Sequence, residues 1–190
     1  MELLFDNDVR LTIGSSWQPL NAMPEDPPGT HVFGKATENC ECFVSTHPID
    51  VKYTMQFDNP QEIISGIHEA LAGNQALIEV KSNVTSESKM VYSIVKTQQQ
   101  PSGVQYSLTM DIVVKNRAVH LQGFFSETGT TGQRDAAVYE LERQNGNVTI
   151  NFDGWNFDPY DANSQRQYRM NLSEQEKYDN MFPQHPLSIA

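Results

Sequence analysis

The stretch GVQYSLTMDIVVKN, residues 103–116, decides the fold class of this chain. Every second residue is apolar over six repeats, and most of the residues between them are polar. The apolar positions are Val104, Tyr106, Leu108, Met110, Ile112 and Val114. Because side chains alternate between the two sides of a β-strand, this pattern predicts a strand that turns one face to a hydrophobic core.

A second strand is predicted directly after the first, in the run AVHLQGFF over residues 118–125. A short turn at Asn116 and Arg117 would join the two strands into an antiparallel hairpin. This turn predicts a register with Val114 opposite Val119 and Ile112 opposite Leu121. The upstream run KMVYSIVKT, residues 89–97, predicts a neighbouring strand, so the centre of the chain forms an antiparallel meander.

Two helices are predicted before and after this meander. The first covers residues 60–72, with Asp58 or Asn59 as its cap and Pro60 at its first position. The second covers residues 131–145. Their apolar stripes, at helical spacing, are Ile63, Ile64, Ile67 and Leu71 in the first and Ala137, Val138 and Leu141 in the second.

The outer face of the predicted hairpin also carries apolar residues, Val113 and Phe124. A sheet with apolar residues on both faces needs cover on both sides. We therefore predict an α+β fold for residues 1–146, with helices packed on both faces of an antiparallel sheet as an α/β/α sandwich. Residues 147–190 form a C-terminal extension in this prediction.

This layout resembles the PsbP-like superfamily, which includes PsbP subunits of photosystems, Ran-binding Mog proteins and Eag-type chaperones of bacterial secretion effectors. The resemblance covers residues 9–145 and includes the stretch LTIGSSWQPL with Trp17, the two helices and the strands between them. It implies the α/β/α sandwich and a role in binding other proteins. It brings no catalytic residues and does not extend to residues 147–190.

The C-terminal extension ends in an apolar segment flanked by prolines. The sequence from Ser173 to Glu176 fits a capping box and predicts a short helix over residues 174–181. Pro183 would end that helix, and Pro186 would keep the chain extended. Two interpretations stay open, a strap that docks on its own domain and an element that binds a partner protein. The predicted partner-binding residues are Tyr178, Met181, Phe182, Pro183, His185 and Leu187, together with Val113 and Phe124 on the sheet.

Composition excludes several classes of protein. The formal net charge of −11 disfavours binding to the phosphate backbone of nucleic acids. No apolar run reaches the length of a membrane span, and the start MELLFDNDVR does not resemble a signal peptide. Two cysteines, only two positions apart, do not make a disulfide framework. We therefore expect a cytoplasmic protein.

No cofactor, metal or catalytic site is predicted. Cys40, Cys42 and His47 lack the second ligand pair of a zinc site, so the cysteines are interpreted as core residues. The acidic residues between 153 and 161 lack the EF-hand spacing. His120 faces the same side as Asp111, which would suit acid–base chemistry but is more typical of a structural pair.

These observations predict a non-enzymatic module that binds another protein, such as an accessory or chaperone-like protein of a bacterial secretion pathway. One alternative is an immunity or inhibitor protein whose acidic surface binds a basic toxin. Another is a ligand-binding protein or enzyme with a pocket between the sheet and the C-terminal segment, near His120. A homodimer is compatible with each of these functions.

Overall fold

The computed structural model describes residues 2–5 and 9–190, and a seven-stranded antiparallel sheet forms its centre. In chain order the strands are β1 (Glu2–Phe5), β2 (Val9–Thr12), β3 (Gln18–Leu20), β4 (His31–Ala36), β5 (Cys40–Ile49), β6 (Gln75–Val84), β7 (Ser88–Gln98), β8 (Val104–Val114), β9 (Arg117–Glu127), β10 (Asn156–Phe157) and β11 (Met170–Asn171). The large sheet has the spatial order β3-β4-β5-β9-β8-β7-β6, while β1 pairs with β2 and β10 with β11.

In residues 2–5 and 9–190, three α-helices accompany the strands: α1 (Pro60–Ala70), α2 (Gln133–Gln144) and α3 (Pro186–Ile189). Short 3₁₀ turns cover Val51–Tyr53, Leu172–Glu174 and Glu176–Met181. The helices lie on both sides of an antiparallel sheet, so the predicted α+β fold is confirmed.

The central hairpin forms as predicted, with a different turn. The turn residues are Lys115, whose φ is +54°, and Asn116. Val114 therefore lies opposite Arg117, and Ile112 lies opposite Val119. The predicted register was wrong by two residues. Because the period of side chains along a strand is also two, every residue keeps its predicted face.

One side of the sheet, which we call the closed face, carries the even-numbered residues of β8 and their cross-strand neighbours. The C-terminal segment covers it: Met170 and Leu187 join Leu108, Tyr106 and Phe125 in one buried cluster. Leu187 retains only 8% of its accessible surface. The six alternating apolar residues that predicted the core do face this side.

The C-terminal segment differs locally from the prediction. Residues 172–181 form two 3₁₀ turns instead of a helix, and the capping box joins Asn171 with Glu174. After Pro183 the chain does not stay extended, because Pro186 starts α3. Proline suits a first helical position, where its missing N–H would have no helical partner. The His185 ring caps this helix by accepting a hydrogen bond from the Leu187 N–H.

Helix α2 buries a different face from the predicted one. Arg134, Val138 and Glu142 are buried, whereas Ala137 and Leu141 are exposed. The reason is that α2 packs on the C-terminal segment, which offers backbone carbonyls and a phenol as neighbours. Arg134 donates to the Ser173 and Gln175 carbonyls, and Glu142 accepts from the Tyr178 hydroxyl.

The other side of the sheet, which we call the open face, carries the odd-numbered residues of β8. Helix α1 covers its β6–β7 edge, where Ile64 packs with Leu77 and Val80. Phe57, in the loop before α1, packs on Val113. Val113 is therefore buried, as expected for a face that needs cover, and is not accessible as the partner-binding residue it was predicted to be. The part formed by β3, β4, β5 and the end of β9 carries exposed apolar side chains.

Candidate functional site

An apolar row crosses the open face from β3 to β9. Gly34, Phe43 and Phe124 lie directly opposite one another on β4, β5 and β9. Leu20 lies over Gly34, where an added Cβ would come within 2.8 Å of the leucine Cδ1. Glycine thus makes room for the leucine. The three large side chains are 41–43% exposed and form one strip at the surface.

Polar side chains border this row on both sides. Gln122 accepts a hydrogen bond from Thr109, at 3.3 Å, on one side. Gln105 donates to Ser126, at 2.9 Å, on the other. On β5, Ser45 lies opposite Gln122 and Glu41 lies opposite Ser126, so both polar borders continue onto that strand. An apolar centre with a hydrogen-bonding border is the arrangement found at protein–protein interfaces.

A shallow cavity of about 280 Å³ opens beside the apolar row. Leu20, Gly34 and Phe43 line it together with polar residues, among them Gln18 and Glu41. Pockets with apolar and polar walls receive the anchoring side chains of partner proteins. The cavity therefore extends the surface that the row offers.

Two histidines and an aspartate lie farther along the same face. The buried carboxylate of Asp111 accepts a hydrogen bond from His120 Nδ1 at 2.7 Å and another from the Met55 N–H at 2.7 Å. His47 lies directly opposite His120, with 5.4 Å between the ring centroids. Partial burial lowers the pKa of His47, and the nearby His120 lowers it further. The predicted pairing of Asp111 with His120 is confirmed.

The alternative prediction of a catalytic pocket meets a geometric obstacle here. A cavity of about 340 Å³ does lie between the sheet and the C-terminal segment, lined by Tyr92, Met110 and Leu187. It belongs to the closed face, whereas His120 and Asp111 belong to the open face. Among the described residues, no hydroxyl or thiol forms a hydrogen bond with the His120 ring. The pair therefore does not line the pocket that this alternative placed near it.

Three of the eight predicted partner-binding residues lie inside the protein. Tyr178 packs with Val138, and its hydroxyl binds Glu142. Leu187 packs on the sheet, and Val113 lies under Phe57. These three hold the fold together and are not part of an accessible surface.

The other five predicted residues do reach the surface, in two places. Phe124 belongs to the apolar row of the open face. Met181 and Pro183 are exposed, and they line a cavity of about 260 Å³ with Phe182 and His185. His185 Nε2 lies 3.4 Å from Glu127, which joins the C-terminal segment to β9.

A buried ion pair under the C-terminal segment was not predicted. Lys96 and Glu174 lie 2.7 Å apart, and each side chain is at most 3% exposed. Glu174 also accepts hydrogen bonds from Tyr106 and from the Asn171 N–H. Complete burial raises the pKa of the Glu174 carboxyl, and Lys96 opposes that effect. Alternation along β7 does carry a signal, since Lys96 shares the parity of Ile94 and so faces the core.

Cys40 and Cys42 are buried on the closed face, with their Sγ atoms 2.9 Å apart. His47 projects from the opposite side of the same strand. The two cysteines and His47 therefore lie on opposite sides of the sheet and cannot share a zinc ion. In the described part of the chain, no group of three or more His, Cys, Asp or Glu side chains could hold a metal ion.

No protein-family model matches the sequence, and a search of curated proteins found no significant match. The structure is similar to the solution structure of cyanobacterial PsbP (CyanoP) from Synechocystis. The TM-score is 0.43 and the identity 13%, over 76% of this chain and 87% of the cyanobacterial one. A similarity at this level carries no information about the fold family or the function of this chain. Within the described residues, no helix is long and apolar enough to cross a membrane.

Proposed function

We propose that this protein is a non-enzymatic module that binds an apolar segment of another protein on its open face. The apolar row of Leu20, Phe43 and Phe124 carries this proposal, because large apolar side chains exposed side by side mark interaction surfaces. The hydrogen-bonding residues on both sides of the row support it further.

The geometry favours a helix as the bound segment. Neighbouring strands lie about 4.8 Å apart, so side chains in a cross-strand row repeat at nearly the pitch of an α-helix, about 5.4 Å. A helix lying along the row can place an apolar residue from each turn against Leu20, Phe43 and Phe124. The net charge of −11 and the exposed Glu41 favour a helix with basic flanking residues.

Strand addition is disfavoured at the β3 edge of the sheet and obstructed in the middle of the other edge strand, β6. The edge strand β3 is three residues long and contains Pro19, which offers no N–H to a new partner. At the other edge, the Val80 N–H donates to the Tyr160 hydroxyl. Partners that add a strand need a longer free edge. We therefore favour binding on the open face over strand addition at an edge.

The finer proposal is an accessory or chaperone-like role in a bacterial secretion pathway, and it rests on the layout resemblance. An immunity or inhibitor protein would use the same acidic surface against a basic target. The two free, buried thiols support a reducing compartment such as the cytoplasm. In each case the bound molecule is another protein.

Photocrosslinking from the row itself tests the proposal. Benzoylphenylalanine replaces Phe43 in cells of the source organism, and Ile150, which is 80% exposed elsewhere, provides the control position. We expect a protein adduct from position 43 and none from position 150. With the purified partner, Phe43→Ser/Phe124→Ser should weaken binding at least tenfold and Ile150→Ser should not, because buried aromatic anchors dominate interface energies.

Other results would overturn the proposal. One is the absence of a protein adduct at position 43. Another is an adduct with a second copy of this chain, accompanied by a dimer in light scattering, which would make the open face a homodimer interface. A third is a partner whose affinity does not change in the double variant.

A further inference from the structure

His47 and His120 form a pair of imidazoles on the open face. They are directly opposed across β5 and β9, their ring centroids are 5.4 Å apart, and their planes are inclined by 53°. Directly opposed residues of antiparallel strands have Cβ atoms about 5 Å apart, so both rings can reach a common point above the sheet.

Asp111 determines which nitrogen of His120 is available. An ionised carboxylate only accepts hydrogen bonds, so Nδ1 of His120 must carry the proton that it donates to Oδ1. In the neutral imidazole the lone pair is then on Nε2. Asp111 is itself fixed by the Met55 N–H and by burial. A carboxylate that holds the second nitrogen of a histidine is the usual outer partner of a metal-binding imidazole.

The surroundings also suit a cation. Both rings are partly exposed, His120 with 25% of its side-chain surface, so an ion can reach them from solvent. Asp111 and Asp26 contribute negative charge near His47.

We propose that His47 and His120 bind a divalent transition-metal ion, Zn²⁺ or Cu²⁺, with Asp111 as the positioning residue of His120. Imidazole is a preferred ligand of both ions. Within the described residues no third His, Cys, Asp or Glu completes the site, so water supplies the remaining ligands.

This site is separate from the proposed docking row. His47 lies four residues from Phe43 along β5, a distance of about 13 Å. Metal binding and partner binding can therefore be tested, and can fail, independently of each other.

The test is a Zn²⁺ titration of the full chain without an affinity tag, in competition with a chromogenic chelator. We expect one ion per chain. His47→Gln and His120→Gln should each weaken Zn²⁺ binding more than about tenfold, and Asp111→Asn about 10–100-fold. The matched control is His68→Gln. His68 lies on α1 beside Asp158, and its loss should leave the affinity unchanged.

Spectroscopy with Cu²⁺ distinguishes a true ligand pair from nonspecific binding. Electron paramagnetic resonance should show two nitrogen ligands in the natural protein and one in His47→Gln. Circular dichroism of each variant confirms that it remains folded. The proposal is wrong if the natural protein binds no ion in the titration, or if His47→Gln/His120→Gln binds Zn²⁺ as tightly as the natural protein.

Discussion

The closed and open faces of the sheet are built from the same alternating strands but differ in how much of their apolar surface is covered. On the closed face the C-terminal segment buries the large side chains and even an ion pair, Lys96–Glu174. On the open face Phe43 and Phe124 keep about two fifths of their surface in contact with solvent. The C-terminal segment thus stabilises one face, while the other keeps an exposed apolar row, the surface of the proposed binding site.

The contacts on the closed face are also directional. Apolar burial stabilises without specifying one exact position. Glu174, by contrast, is satisfied only when Lys96, Tyr106 and the Asn171 N–H all surround it. Arg134 similarly requires the Ser173 carbonyl and Asp179. These polar contacts fix where the C-terminal segment lies on the sheet.

Replacing one member of the Lys96–Glu174 pair should destabilise the protein more than any other change considered below. Lys96→Met or Glu174→Leu alone leaves a buried charge without its partner, which should lower the free energy of unfolding by about 3–5 kcal/mol. The double variant should cost clearly less than the sum of the two. Urea denaturation followed by circular dichroism measures all three.

An exposed ion pair of the same segment provides the control. Lys81 and Glu176 are 3.2 Å apart with 48% and 80% of their side-chain surface exposed. Lys81→Met should change the free energy of unfolding by less than about 1 kcal/mol. If losing either member of the buried pair costs no more than this, the ion pair does not hold the segment.

One substitution on each face compares their contributions to the free energy of unfolding, with a smaller expected effect. Leu187→Ala creates a cavity against the sheet and should cost about 2–4 kcal/mol. Phe124→Ala removes more atoms but from a half-exposed site, so we expect a cost of about 1 kcal/mol. Thermal denaturation compares the two variants. Equal losses would show that the open face contributes as much stability as the closed one.

The smallest effect is a pH dependence that originates on the open face. Because the pKa of His47 is lowered in the folded protein, the unfolded chain binds its proton first as the pH falls below about 7. Stability should therefore decrease as the pH falls through the ordinary histidine pKa of 6.5. His47→Gln should flatten this slope. Urea denaturation at several pH values between about 5 and 8, with EDTA present, measures it; an unchanged slope would exclude His47 as its source.

The sequence predicted the parts of the fold that depend on local signals. Alternation located β7, β8 and β9, and the stripe around Ile64 located α1. The buried face of α2 was predicted wrongly because it depends on Tyr178 and the carbonyls of a distant segment. A helix stripe of Arg134, Val138 and Glu142 is recognisable as buried only once those partners are known.

The candidate site was predicted in part for the same reason. Phe124 and the Asp111–His120 pair follow from alternation within one hairpin. Phe43 and His47 join them only through the register of β5 on β9, which links strands separated by three others along the chain. No periodic pattern in a single sequence specifies such a long-range register.

The cover of the closed face has a consequence for the order of folding during synthesis. Leu187 emerges from the ribosome roughly sixty residues after Glu127, the last residue of the seven-stranded sheet. At about 5–20 residues per second, the finished sheet would wait several seconds with Leu108 and Tyr106 uncovered. The nascent protein is therefore most prone to aggregation in that interval, and slowing translation across residues 128–187 should lower its soluble yield.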